Sequence, residues 1–489
     1  MEIFDLRSAL RFLETQGDVP LRHTESMNCH LEVAAHYARD IAGVPASNQT
    51  RDEAMVMYEN CQGHTMPVLM GLFGSRKRNQ LMLTGKNESY HGTVFKGLGH
   101  RIAPEKIDSP VCQEVVINTH IDLLKNLPIL TLTEQCAGPY ITLGLVLARD
   151  PESGAFNASV HRFCIHSKDE MTISIFPGHH LGDWFEAAQK RGETLPISIN
   201  LGLDPAIYFA SCLTEPIVKK GESELDIAGG MRGKAVRISD CVSVKTECLS
   251  DAEIVIEAEI TSQMVAENAL DSSKGSMPEF VGYQGRVNPN VPVPIVKVKA
   301  ITHRENPIYQ SLIGPGLEQS ELQAIAPEIA AKGFIKQHFD FEVVDSHFNT
   351  AGGGVLTSVL QVRKTKDEDD LAVVEAAKKV LSLAPPFKHM YIVDEDVNPH
   401  SPEDVIWAMT TRFTADTDVH TMVNEKPFPM DPSQSPEYRR DTANPNFGVK
   451  AVFDLTVPFR MQKQFARPFV KPVLGSGFSQ GETKGATTK

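Results

Sequence analysis

The hydrophobic pattern changes period along the chain. Leu6, Ala9, Leu10 and Leu13 recur at three- and four-residue spacing, which predicts an amphipathic helix over residues 6–16 with Asp5 as its N-cap and Gly17 as its stop. A second helix is expected over 31–41, ending at Gly43, then strand-like runs at 54–58 and 67–72. Ser75-Arg-Lys-Arg78 reads as a solvated basic turn in this mixed α/β opening. From about 128 to 302 the character is β, with runs at 139–148, 196–200, 253–260 and 293–301 divided by turn residues. Many strands with few helices imply a barrel or sandwich. Residues 314–332 read as a helical connector. Beyond it, strands at 339–344, 355–362 and 389–393 alternate with helices at 371–384 and 401–409, the last opened by Ser401-Pro-Glu-Asp404, so a layered α/β domain is expected. The tail after Leu474 is rich in Gly, Ser, Thr and Lys and reads as disordered. No internal repeat is visible.

The β-rich region holds the stretch with the densest polar chemistry, residues 157–180. Ser167-Lys-Asp-Glu170 makes a polar turn between two β-forming runs, and 181–191 reads as a short helix stopped by Gly192. His180 would then stand at a helix N-terminus, which favours an anion. Taken alone, the stretch reads first as a hairpin whose polar residues face water, and second as a metal-bridged phosphate site with Arg162 nearby.

Composition narrows the class. A chain of 489 residues implies two or three domains, and 41% hydrophobic with 22% charged residues is ordinary for a folded protein. A formal charge of -14 argues against sequence-independent binding to nucleic acid or an anionic membrane. No apolar run reaches the length of a membrane span, and Met1-Glu-Ile-Phe-Asp lacks the basic start of a secretion signal. The eight cysteines lie between Cys29 and Cys248 without a Cys-x-x-Cys pair, which favours reduced thiols and a cytoplasmic setting.

Several motifs carry little weight. Thr350-Ala-Gly-Gly-Gly354 reads as a tight turn, Asp394-Glu-Asp396 as a polar strand end and His303-Arg-Glu305 as another, and no nucleophile elbow, zincin helix or Rossmann fingerprint occurs. Two acids gain from context. Glu224, in the β-rich region, could join an amide and an imidazole in an oxygen-rich set suited to Mn²⁺ or Mg²⁺. Glu279, in Ser276-Met-Pro-Glu-Phe280, is a turn residue or, if buried, a general acid.

Taken in order, these pieces resemble the UbiD family of prenylated-flavin decarboxylases along essentially the whole chain. The matching segments include Asp5-Leu-Arg7, Asn157-x4-Arg162, His180, Leu203-Asp-Pro205, Ser223-Glu-x3-Ala-Gly229, Met277-Pro-Glu-Phe280, Gly282-Tyr283, His303-Arg304, Val393-Asp-Glu-Asp-Val397, Trp407-Ala-Met409 and Lys450 before Asp454-Leu-Thr-Val-Pro458. Ser-Met-Pro-Glu-Phe is similar to the branch acting on aromatic acids such as protocatechuate and gallate.

The resemblance implies an α/β (α+β overall) architecture: an N-terminal α/β region at 1–127, a split β-barrel, flavin-reductase-like, prenylated-FMN-binding domain at 128–313, a linker helix at 314–335, a C-terminal α/β oligomerisation domain at 336–473 and a flexible tail at 474–489. It implies that Asn157, His180 and Glu224 hold Mn²⁺ (or Mg²⁺) against the cofactor phosphate, with K⁺ alongside. Asn157, Ala158, Ser159, Val160, His161, Arg162, His179, His180 and Glu224 match the cofactor cradle and Lys450 the phosphate-contacting lysine. Arg162 and Glu279 match the catalytic arginine and the proton-donating glutamate. The implied reaction is reversible, non-oxidative loss of CO₂ from an aromatic or heteroaromatic carboxylic acid. A UbiX-type flavin prenyltransferase would supply the cofactor, and the chain would form a homodimer or homohexamer. Two departures stand out. The second glutamate that many family members carry five residues before the proton donor is here Lys274, as the aromatic-acid branch generally lacks it too, so the usual Glu-Arg-Glu network is not intact. The histidine of the catechol-type enzymes is here Gln319, which points towards an acid without a catechol, such as an indole or phenazine carboxylate. From other classes, a non-catalytic flavin- or phosphate-binding oligomeric paralogue and an unrelated Mn²⁺ phosphoesterase remain as alternatives.

Overall fold

The computed structural model describes residues 2–42, 52–86, 89–175, 179–213, 217–219, 221–279, 282–283, 292–440, 442 and 444–468. The expected stop at Gly43, Phe280 of the Met-Pro-Glu-Phe segment and the tail 474–489 lie outside these residues.

Asp5 caps the Leu6–Thr15 helix: its carboxylate accepts the Ser8 N–H at 2.7 Å while Ser8 Oγ accepts the Asp5 N–H at 3.0 Å. The face predicted from spacing is the buried one, with Leu6, Ala9 and Leu13 fully covered. The helix expected over 31–41 is Glu32–His36 continued by a π-helical turn, Tyr37–Ile41. Strands Leu21–His23, Val56–Tyr58 and Val68–Met70 form a sheet whose fourth strand, Tyr309–Gln310, comes from far along the chain. Ser75-Arg-Lys-Arg78 is not a solvated turn. Ser75 caps the Arg76–Thr84 helix, and Arg78 is buried, reaching the Glu53 and Gly71 carbonyls and Asp18. Both basic side chains with inward partners answer acids distant in sequence, which a local charge pattern cannot reveal.

Six antiparallel strands close the central barrel, in the order Ile254–Ala266, Leu195–Leu201, Tyr140–Arg149, Phe156–Ile165, Glu170–Ile173, Pro292–His303 and back to Ile254–Ala266. The expected barrel is therefore present and closed. Tyr140–Arg149 reads as a continuous apolar run because both of its faces are covered. Val146 and Ala148 join Ile197, Ile199 and Val298 in one core, whereas Leu143, Leu145 and Leu147 pack with residues of the Pro205–Ser211 and Glu224–Arg232 helices in another. Neither helix was legible as such, because Tyr208 and Phe209 in one and the glycine pair Gly229-Gly230 in the other hide the helical period.

The C-terminal sheet runs Glu342–Phe348, Thr357–Arg363, His389–Asp394, Gly448–Asp454, Val419–Glu425. The strand expected at 339–344 begins three residues late, and the last two strands to be laid down in the chain were not anticipated. Asp394 and Asp396 both receive Arg412, a structural use of the acidic strand end. Between barrel and C-terminal domain runs the Leu317–His338 helix. Its Glu328, with no exposed surface, accepts hydrogen bonds from Arg76 at 3.1 and 2.8 Å and from Tyr90 at 3.1 Å, all N-terminal residues. It pairs with the His91 ring at 2.8 Å and, on the C-terminal side, meets His347 at 3.2 Å and the Phe348 N–H at 3.1 Å. All eight cysteines are free thiols, and among the described residues no helix is long and apolar enough to cross a membrane.

Candidate active site

The hairpin expected around 167–170 is present, with the His166 and Ser167 N–H groups both donating to the Glu170 carbonyl. Alternation along Phe156–Ile165 puts Asn157, Ser159 and His161 on one face, where they bond to one another. Asn157 Nδ2 donates to Ser159 Oγ at 2.9 Å, and Ser159 Oγ lies 2.9 Å from His161 Nε2. Burial pulls the His161 ring down to about 4, against a hydrogen bond to the Ser174 backbone and with His179 and Arg162 adding to the effect, so the imidazole is neutral at pH 7. Asn157 Oδ1 is thereby left to face His180 Nδ1, at 3.2 Å. His180 opens the His180–Lys190 helix, with His179 at the N-cap, and its ring stacks on Trp184 one turn on. Glu224 opens the Glu224–Arg232 helix behind a Ser223 cap and accepts the Ala158 N–H at 2.9 Å. Burial pushes its carboxyl up to about 7, against the Ala158 N–H.

An amide oxygen, an imidazole and a buried carboxylate thus converge from three elements on residues 157–158. Among the described residues no group of three or more His, Cys, Asp or Glu side chains is placed to hold a metal. A hard divalent cation here would need the amide and further oxygens, such as those of a phosphate; that donor set fits Mn²⁺ or Mg²⁺ and would offset the cost of ionising Glu224. Ala158 and Val160 point into the outer core, so their backbone alone is available to a ligand.

Arg162 lies on the other face of the strand. Its Nε and one terminal nitrogen reach Glu267 at 3.2 and 3.1 Å, and the other terminal nitrogen reaches Glu279 Oε1 at 3.1 Å. The usual network, with its second glutamate at position 274, is not intact, yet a Glu-Arg-Glu cluster forms from another position. Lys274 is half-buried and sits 3.7 Å from Asp271, while Glu267, twelve residues before Glu279, supplies the second carboxylate. Sequence reasoning missed Glu267 because it counted along the chain; the fold brings it in from the exit of the Ile254–Ala266 strand. Glu279 is held in a turn in which its N–H donates to the Tyr283 carbonyl and its own carbonyl accepts the Gly282 N–H, with Gly282 at φ +88°. Burial raises the Glu279 pKa, Glu267 adds to the rise and Arg162 opposes it. Nearby, Gln319 and the Pro278 carbonyl both close on Gly314, where a Cβ would lie 2.4 Å from Gln319 Oε1 and 2.8 Å from the Pro278 oxygen.

Asn157 and Arg162 belong to one strand without a bulge of its own. The extra residue lies across from it, where Ile141 to Gly144 spans Phe163 to His161. Of the Phe156–Ile165 strand, Glu170–Ile173 covers only Phe163–Ile165, so among the described residues no strand covers the 156–162 segment on that side. Lys450 is not brought to this site. It is buried in the C-terminal sheet, and its ammonium donates to the Leu381 and Ala384 carbonyls at 2.5 and 2.8 Å, closing the end of the Asp369–Leu381 helix.

Three family models match the chain: the 3-octaprenyl-4-hydroxybenzoate carboxy-lyase N-terminal domain over residues 10–96, its Rift-related domain over 105–317 and its C-terminal domain over 321–455. The gallate decarboxylase of Lactiplantibacillus plantarum is 33% identical, covering 95% of this chain and 96% of its own. The apo 3,4-dihydroxybenzoic acid decarboxylase of Enterobacter cloacae superposes with a TM-score of 0.90 at 33% identity, over 98% of both chains. An evolved dimeric form of the UbiD-class enzyme HmfF from Pelotomaculum thermopropionicum, in complex with prFMN, superposes with a TM-score of 0.79 at 27% identity, over 94% of this chain and 96% of that one.

Proposed function

The chain belongs to the UbiD family of carboxy-lyases, and from that premise we propose that it removes CO₂ from an aromatic or heteroaromatic carboxylic acid with prenylated FMN as cofactor, Arg162 orienting the carboxylate and Glu279 donating the proton. The observation that carries this reading is the buried Glu267–Arg162–Glu279 cluster beside the converging Asn157, His180 and Glu224. Departure of CO₂ leaves negative charge on a ring carbon, and prenylated FMN supplies the electron sink for it. Arg162 offers a planar fork of donors matched to a carboxylate. Glu279 must carry a proton when CO₂ leaves, and its burial and the neighbouring Glu267 both favour the protonated acid. Asn157, His180 and Glu224 would hold Mn²⁺ or Mg²⁺ against the cofactor phosphate, with K⁺ alongside and His179 at the rim. The uncovered 156–162 edge lets one cofactor meet the Asn157 face and the Arg162 face together. A UbiX-type prenyltransferase would supply the cofactor, and the C-terminal domain would join copies into a dimer or hexamer. Gln319, an amide where an imidazole would suit a catechol hydroxyl, favours an indole- or phenazine-type acid over protocatechuate.

The test is co-expression with a flavin prenyltransferase, followed by cofactor mass, metal content and CO₂ release from a panel including protocatechuate, gallate, indole-3-carboxylate and phenazine-1-carboxylate. Glu279→Gln should retain the flavin and lower turnover by about 10²–10⁴-fold. Full metal loading with no modified flavin overturns the cofactor reading, an unimpaired Glu279→Gln removes the proton donor, and faster turnover of protocatechuate than of the fused rings removes the role given to Gln319.

A further inference from the structure

The carboxylate pair has a fourth neighbour. Tyr140 begins the Tyr140–Arg149 strand, has no exposed surface, and donates its hydroxyl to Glu267 Oε1 at 3.2 Å. Its other polar neighbour is the buried Cys164 thiol, on the adjacent strand. Around the pair, Arg162 is the one cation that contacts either carboxylate among the described residues. One positive charge cannot balance two buried carboxylates held so close, so the pair keeps a proton, as like charges in one site do.

The proton settles where ionisation is least well served. Glu267 receives three donors, from Arg162 Nε, an Arg162 terminal nitrogen and the Tyr140 hydroxyl. Among the described residues the Glu279 carboxylate has only an ion pair with Arg162, at 3.1 Å. Donors to a carboxylate favour its charged form. We propose that Tyr140 is a positioning residue: its hydroxyl completes the donor set that Arg162 begins on Glu267 and so confines the shared proton to Glu279, the group that delivers it to the substrate carbon. The proposal rests on Glu279 being the proton donor and adds the device that loads it. No bond to Tyr140 forms or breaks in the cycle. Glu279 gives its proton to the carbon and is recharged from solvent, while the Tyr140 hydroxyl proton stays in place.

Tyr140→Phe keeps the buried ring and removes the donor. Glu267 then competes for the proton, so the ratio of Glu279 to Glu267 protonation should fall roughly 10-fold, the scale of one hydrogen bond to a charged group, which brings the two populations close to equal and lowers the plateau of kcat about two-fold. The doubly ionised pair also loses a donor, so its last proton is harder to remove and the alkaline limb of the kcat profile should move to higher pH. Glu267→Gln should move that limb the opposite way, because Arg162 then faces Glu279 alone. A ring that served packing alone would lower activity or stability without moving the limb.

Infrared difference spectroscopy of the holoenzyme reads the proton without turnover. The wild type should show one protonated-carboxyl stretch, abolished in Glu279→Gln; Tyr140→Phe should show two, one for each glutamate. An unmoved alkaline limb with a single carboxyl band in Tyr140→Phe overturns the proposal. An enzyme that releases no CO₂ from any acid, yet shows the split band, overturns the assigned reaction and leaves the control of the proton by Tyr140 standing. An inactive enzyme with one unchanged band overturns both.

Discussion

Glu328→Gln tests whether the linker helix is held by charge or merely by shape. The substitution keeps the side-chain volume, removes the negative charge and turns one acceptor into a donor that faces donors. Arg76, at 16% side-chain exposure, would be left with Glu321 at 3.6 Å in place of a bidentate partner, and Tyr90, His347 and the Phe348 N–H would each lose or weaken an acceptor. Removing one member of a buried ion pair costs about 3–5 kcal/mol, and a misdirected amide adds about 1–3, while the fallback on Glu321 offsets part of it. A loss of about 3–5 kcal/mol at pH 7 is expected, read as a fall in the guanidinium midpoint of the interdomain transition. The pH dependence carries a sign. Burial opposes ionisation of Glu328, yet Arg76, His347 and His91 hold its carboxyl well below the usual 4.5. A depressed carboxyl contributes stability that is present above the unfolded value and lost as pH falls through the folded one. The gap between wild type and variant should be full at pH 7 and begin to close below about 4.5. A loss under about 1 kcal/mol, or a gap unchanged down to pH 3, would refute this account of the junction.

Two further predictions follow from single contacts. Lys450→Met removes two charge-assisted bonds to the Leu381 and Ala384 carbonyls but also the burial cost that pulls this amine down to about 8, so a net loss of about 1–3 kcal/mol is expected, with flavin content unchanged. Loss of flavin with unaltered stability would return Lys450 to the cofactor. Gly230→Ala puts a Cβ 2.2 Å from the His100 carbonyl and 2.9 Å from the Gly97 carbonyl, which must push the Glu224–Arg232 helix off its neighbour. Overpacking of about 1–3 kcal/mol and reduced Mn²⁺ retention by mass spectrometry are expected, and a variant with wild-type melting and metal content would show that the helix has room to move.

What the chain discloses in advance depends on the range of the interaction. Asp5 with Ser8, His180 at its helix start and Ser401 before Pro402 are local devices, and each stands where the spacing places it. The barrel was legible because strand runs persist through it, although the helices on its outer face were hidden by aromatic and glycine-rich composition. Glu267 was not legible. It reaches Arg162 across 105 residues of chain, and its alternation with Glu253, Glu257 and Glu259 gives no hint that it turns to a different task. Lys450 illustrates the converse: its order along the chain matches the family, while in this structure the carbonyls at a helix end hold its ammonium.

The parallel strand that completes the N-terminal sheet bears on how the protein is made. Val68, Leu69 and Met70 have no exposed surface in the finished fold, and their partner strand is Tyr309–Gln310; Glu318, at the start of the linker helix, then accepts the Gly71 and Phe73 N–H groups. At roughly 5–20 residues per second, a ribosome needs about 10–50 s to supply those partners after the first edge has emerged. Until then the nascent chain carries an open apolar strand, the kind of edge that invites pairing with another chain. The N-terminal region is therefore first in synthesis but incomplete until the barrel strands have followed it. Yield should depend on chaperone cover during that interval and fall as translation is slowed, and a fragment ending near residue 127 would lack the strand that finishes it.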